Sequence, residues 1–253
     1  MLTLKTVPAT KQGDSWPTVD QCEDHWDTET RGLLTTSPSN PTGATIPWKR
    51  AIDLMNLASA RQASYVSDEL YHGLHDMIPD HSALEHNADA FVINGFSKYI
   101  AMTGWLLGWI VVPPSFVEPI TVLAQHLYLS PPDVSQVAAL ACFRPETLDV
   151  CEQRRLEIKQ RRDFLLSALD GAGFSVPYQP EGGFYVFADA SRFTDRCETL
   201  CEELIEQAGV SVAPGSDFGD FPTYLRFSLC ADIGRLSEAV TRIQRYVTQA
   251  RPG

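Results

Sequence analysis

Between residues 32 and 112 the sequence alternates short apolar runs with helical or turn-rich stretches, and this alternation restricts the possible folds more than any other feature. Gly32–Thr36 (GLLTT) reads as a strand, closed by the turn cluster SPSNPTG at residues 37–43. Residues 47–62 carry apolar side chains at helical spacing, and Pro47 suits a first helical turn. Residues 64–67 form a second expected strand, ending at Asp68. Residues 89–94 (DAFVIN) form a third, ending at Gly95-Phe96-Ser97-Lys98. Residues 107–112 (LGWIVV) form a fourth, stopped by Pro113-Pro114, and a weaker strand is expected over residues 2–7. Strands alternating with helices predict an α/β fold with a mostly parallel sheet.

The second half differs. Residues 145–171 predict one long, highly charged helix. Strands follow at 182–188 (GGFYVFA), 210–213 and 224–228 (YLRFS), with helices at 197–207 and 233–246. That mixture predicts a smaller α+β domain, and the expected division is residues 1–143 and 144–253. A chain of 253 residues is long enough to bury a sizeable core. Its 20 Lys and Arg against 32 Asp and Glu give a net charge of -12, the wrong balance for tracking nucleic-acid phosphates. No apolar run approaches the roughly 20 residues of a membrane span, and the first residues lack a charged-then-apolar leader pattern. The six cysteines are scattered without a CxxC, which predicts reduced thiols and no metal site.

In open α/β sheets ligands bind beyond the carboxyl ends of the strands. Asn40 follows the first strand here, Asp68 and then Tyr71 follow the second, and Ser97 and Lys98 follow the third. Each alone has an ordinary reading: Asn-Pro in a turn, an aspartate cap, a solvated lysine. Together they bring an amide, an acid, a phenol, a hydroxyl and an amine to one sheet edge. That set meets the requirements of pyridoxal phosphate. A lysine can form a Schiff base with its aldehyde, and an acid can keep its ring nitrogen protonated. An amide and a phenol can bond the ring hydroxyl, and a serine can help to hold the phosphate.

The segments SPSNPTG, SDELYHG, GFSKYIAMTGW, PEGGFYVFAD, VSVAPGSDFG and YLRFSL resemble the fold-type-I, class I/II pyridoxal-phosphate-dependent aminotransferases, the aspartate aminotransferase-like group, from Leu33 onward. The resemblance implies a partial large, cofactor-binding domain over residues 1–143. It implies a small C-terminal α+β domain over residues 144–253 that includes the long connecting helix. Lys98 then corresponds to the Schiff-base lysine that also shuttles the substrate proton. Asp68 corresponds to the partner of the pyridine nitrogen, Asn40 and Tyr71 to donors to the ring oxygen, and Ser97 to a phosphate ligand. Arg226 corresponds to the clamp on the substrate α-carboxylate, a forked contact suited to guanidinium. The implied substrates are an amino acid and a 2-oxo acid, the implied assembly is a homodimer, and the implied location is cytoplasmic.

Two departures stand out. The family places an arginine for the cofactor phosphate after the Gly-Trp pair, and here that position holds Leu106. One lost charge-assisted bond costs roughly 1.5–3 kcal/mol. The family also carries a long N-terminal part before the SPSNPTG segment, with a phosphate-cradling turn and a ring-stacking aromatic. Nothing before Asn40 resembles them, and Trp16, His25 and Trp26 read as packing or surface residues. The expectation is therefore the C-terminal portion of such an enzyme, marginally soluble or completed by another chain. Alternatives are a remnant or split-enzyme fragment with weak cofactor binding, and a lyase, decarboxylase or cyclopropane-forming synthase of the same fold. A serine hydrolase would need a glycine where Tyr99 closes GFSKY. His72 and His75 lack a third zinc ligand, and no GxGxxG follows a strand.

Overall fold

A computed structural model describes residues 3–8, 16–76 and 81–250. The chain forms two compact units: Met1–Pro38 with Thr45–Gln153, and Ser39–Ala44 with Arg154–Gly253.

The first unit is built on a four-stranded sheet, β1 (Gly32–Thr36), β2 (Ser64–Asp68), β3 (Phe91–Gly95) and β4 (Gly108–Val111), in that order. The first three strands run parallel and β4 returns antiparallel, so the sheet is mixed but mostly parallel. Register places Thr36 opposite Asp68, and Asp68 opposite Ile93, so the strands finish nearly level. α1 (Val19–Asp24) is held by a reciprocal cap between Thr18 and Gln21. α2 (Trp48–Ala60) crosses from β1 to β2 and starts after Pro47, whose ring fixes φ at -57°. Its buried residues Ala51, Leu54, Met55 and Ala58 recur at helical spacing. They pack with Tyr65, Ala90 and Val92 from the sheet side.

Two further helices, α3 (Pro114–Tyr128) and α4 (Asp133–Ala139), follow β4 and were not anticipated. α3 buries none of its residues, and all four residues of β4 are exposed. α4 and the short 3₁₀ turn after it pack Ala139 and Cys142 against Phe96 and Met102. Residues 3–7, expected as a strand, are irregular: Leu4 is exposed, and no neighbouring strand pairs with this segment among the described residues. Leu2 of that expected strand lies outside the described residues.

α5 (Pro145–Gly171) begins in the first unit and continues into the second. There, β5 (Tyr185–Asp189), β6 (Ala213–Pro214) and β7 (Tyr224–Ser228) form an antiparallel sheet in the order β5-β7-β6. α6 (Cys197–Glu203) runs on as a π turn that stops at Gly209. α7 (Ile233–Ala250) buries Leu236, Val240, Ile243 and Val247, spaced to form one stripe. These residues close a core with Leu165, Leu169, Val186, Leu200, Leu225 and Leu229. β6 is shorter than the expected 210–213 and overlaps it only at Ala213. β5 starts at Tyr185, because the N–H groups of Glu181 and Gly182 donate instead to the carbonyl of Gly43 at 2.9 Å.

Candidate active site

The first unit gathers four of the expected residues at the carboxyl ends of β2 and β3. Asp68 is the last residue of β2. Its carbonyl accepts the Ser37 N–H at 3.1 Å, which ties it to the end of β1. Its carboxylate Oδ1 accepts the Leu70 N–H at 3.1 Å, turning the chain out of the sheet. Tyr71 lies in that turn and is buried.

Ser97 and Lys98 are half-buried and follow β3 after one intervening residue, Phe96. Their loop is closed internally by bonds from the Ala101 N–H to the Lys98 carbonyl (3.0 Å) and from the Met102 N–H to the Phe96 carbonyl (2.9 Å). The Thr103 hydroxyl donates to the Ser97 carbonyl at 2.9 Å. Lys98 Nζ stands 5.5 Å from the centroid of the Tyr71 ring, within reach of a cation–π contact. Leu106 sits just beyond the loop in a left-handed conformation, φ 52°, with 80% of its surface exposed.

The other two expected residues meet in the second unit. Arg226 Nη1 donates to Asn40 Oδ1 at 2.9 Å. Asn40 lies in the turn Ser39–Ala44, whose Gly43 has φ +71° and approaches so closely that a Cβ would stand 2.8 Å from the Gly182 carbonyl oxygen. The guanidinium carbon of Arg226 lies 4.1 Å from the ring centroid of Tyr185 and 4.6 Å from that of Phe218. This sandwich fixes the plane of the guanidinium.

Sequence reasoning missed both aromatics, although each lies in a quoted motif. Tyr185 could have been found from register: Phe187 is opposite Arg226, and Tyr185 is two residues away on the same face. Phe218 stands beside an aromatic cluster of buried Phe187 and Tyr178 with half-buried Phe221 and Tyr224. Burial, with a smaller contribution from Asp189, pushes the Tyr224 phenol up to about 12, so this cluster stays neutral beside the arginine.

Glu69 is a third residue that was missed. Its buried carboxylate accepts the Ala83 N–H at 2.8 Å and the Ser82 hydroxyl at 3.2 Å, with His72 Nδ1 at 3.5 Å. It pins the segment after Asp68 to the short turn at Ala83–Glu85. His72 thus faces a carboxylate.

A mixed sheet carrying an acid and a lysine at adjacent strand ends, followed by a small antiparallel unit presenting an arginine, defines a class of α/β ligand-binding proteins. Comparison with known proteins narrows that class. The family profile described as aminotransferase class I and II matches residues 2–243. The chain belongs to this family. It is 36% identical over 217 residues to a valine–pyruvate aminotransferase of Mycobacterium tuberculosis, covering 84% of this chain and 56% of that one. It is 30% identical over 252 residues to an aspartate aminotransferase of a Bacillus species, covering 95% and 64%. Among solved structures, an aminotransferase from Mycobacterium tuberculosis superposes with a TM-score of 0.88 at 33% identity, over 92% of this chain and 61% of that chain. The chain therefore has the fold-type-I α/β architecture of these enzymes over the part it matches, and it spans about three fifths of the length of these relatives.

Proposed function

We propose that this chain is the pyridoxal 5′-phosphate-dependent part of an aminotransferase that moves an amino group between an amino acid and a 2-oxo acid. The observation that carries the reading is Lys98 Nζ held over the Tyr71 ring, at the end of the strand beside the one that Asp68 closes. An amine, a carboxylate and a phenol are the donor set this cofactor needs, so the residues present fit it. When bound, the cofactor supplies an aldehyde and an electron-withdrawing ring that acidifies the carbon bearing the amino group.

In this reading Lys98 Nζ would hold the cofactor at its aldehyde group and would move the proton at the substrate α carbon. Asp68 would accept the N–H of the ring nitrogen and favour its protonated form. Tyr71 and Asn40 donate to the ring oxygen, and the Ser97 hydroxyl donates to the phosphate. Arg226 grips the substrate α-carboxylate with a guanidinium that Tyr185 and Phe218 already hold flat. The names of the relatives support transamination over elimination or decarboxylation.

The test is direct. Added pyridoxal phosphate gives the visible absorption of the lysine-bound cofactor, borohydride fixes the label on the peptide containing Lys98, and Lys98→Ala loses both. A parent chain that shows no such absorption overturns the reading. Product analysis with a 2-oxo acid acceptor separates transamination from lyase chemistry.

Among the described residues no helix is long and apolar enough to cross a membrane. A cytoplasmic location and a homodimeric assembly complete the proposal. The exposed apolar residues of β4 and α3, such as Trp109, Ile110, Val117 and Leu123, supply surface for that assembly.

A further inference from the structure

A contact behind Lys98 has no place in the scheme above. Gly73 lies in the turn Tyr71–Leu74, with φ +82°, and a Cβ there would stand 2.7 Å from Cγ and Cδ2 of Tyr99. The ring of Tyr99 therefore rests on bare backbone. Its hydroxyl donates to Glu152 Oε1 at 3.0 Å, on α5. Lys98 precedes Tyr99 directly, and its Nζ lies over the ring of Tyr71. Two consecutive residues of the lysine loop thus meet one turn at two points: Lys98 at Tyr71 and Tyr99 at Gly73. The internal bonds of the loop set its shape, while the two contacts of Tyr99 set where that shape sits.

We propose that Tyr99 is a positioning residue for Lys98. Its ring on Gly73 and its hydroxyl on Glu152 hold the lysine loop against the Tyr71 turn, so that Nζ meets an aldehyde from a narrow range of positions. A lysine has four rotatable bonds. Motion of the backbone that carries it would multiply their freedom, and a tether on the next residue removes that motion. The hydroxyl–carboxylate bond is charge-assisted and so of the stronger kind. The proposal rests on the reading of Lys98 as the cofactor lysine.

The experiment compares the parent chain, Tyr99→Phe, Glu152→Ala and Lys98→Ala against two probes. One is pyridoxal phosphate, which needs the amine. The other is 4′-deoxypyridoxine phosphate, which has no aldehyde and does not. Tyr99→Phe keeps the ring and removes the hydroxyl. The expected result is about a fivefold weaker affinity for pyridoxal phosphate and a slower appearance of the lysine-bound absorption, roughly 1 kcal/mol. Affinity for the deoxy probe stays at the parent value. Glu152→Ala reproduces this pattern if Tyr99→Phe melts too low to measure. Equal losses for both probes, or none for either, overturn the positioning role. A parent chain without the lysine-bound absorption, or a Lys98→Ala variant that retains it, overturns the cofactor reading itself and the positioning role with it.

Discussion

Arg226 lies over the rings of both Tyr185 and Phe218, and that setting makes the residue hard to replace. Lysine would retain the charge but lose both the fork and the flat surface that stacks on Tyr185 and Phe218. Arg226→Lys is expected to raise KM for the amino acid about tenfold to a hundredfold, equivalent to roughly 1.5–3 kcal/mol for a lost charged bond, with kcat less affected. Steady-state kinetics would separate the two parameters. Leu106 offers the opposite case. Its side chain is 80% exposed, so a charge can be placed there without disturbing a core. Leu106→Arg is expected to tighten pyridoxal phosphate by about tenfold, read by absorption titration, and an unchanged affinity would show that position 106 does not reach the phosphate. That Asp68, Ser97 and Lys98 stand at or just past strand ends was legible in the sequence because each follows an apolar run, and a parallel sheet aligns such ends, with Tyr71 in the turn after Asp68. Tyr99, Glu69 and the two rings around Arg226 were not legible. Their meaning depends on partners brought close by folding, such as Glu152 on α5 for Tyr99.

Pairing of β1 with β2 places the Thr35 hydroxyl 2.7 Å from the Tyr65 hydroxyl in a buried setting. Burial, which outweighs this hydrogen bond, pushes the Tyr65 phenol up to about 12 from its ordinary 10. The unfolded chain therefore loses this proton first. The stabilisation is fully present below pH 10 and drains away as pH climbs toward 12, by on the order of 2 kcal/mol. Denaturant titrations across that range should show a steeper alkaline loss in the parent than in Tyr65→Phe, and parallel curves would contradict the assignment. Elements with strong periodicity or clear stops were the legible ones: α2 with its buried stripe, β1 and β7 with their recognised bounds. α3 was missed because its sequence is apolar without a single buried face; Phe116 meets Phe91 of β3 edge-on at 5.0 Å, yet no residue of the helix is buried. α5 was read correctly from its charge, although only a few of its residues, Cys151, Arg162, Leu165 and Leu169, are buried.

The molecule as a whole leaves a large apolar surface uncovered in its first unit, from Trp105 and Trp109 through Val117, Leu123 and Leu127 to Val137 and Phe143. Soluble chains seldom expose so much without a partner. Size-exclusion with light scattering is expected to show self-association of the isolated chain, and a compact, cooperatively melting monomer would remove the case for a covered interface. The turn Ser39–Ala44 has a different consequence. It belongs to the second unit, yet it lies between β1 and α2 in the chain. The Gly43 carbonyl receives the N–H groups of Glu181 and Gly182, which leave the ribosome much later. This turn must therefore stay unfilled through most of synthesis and close over a long loop at the end, a pairing that slows folding. Residues 154–253 made on their own would lack that carbonyl. Their refolding should quicken when a peptide spanning residues 37–46 is supplied.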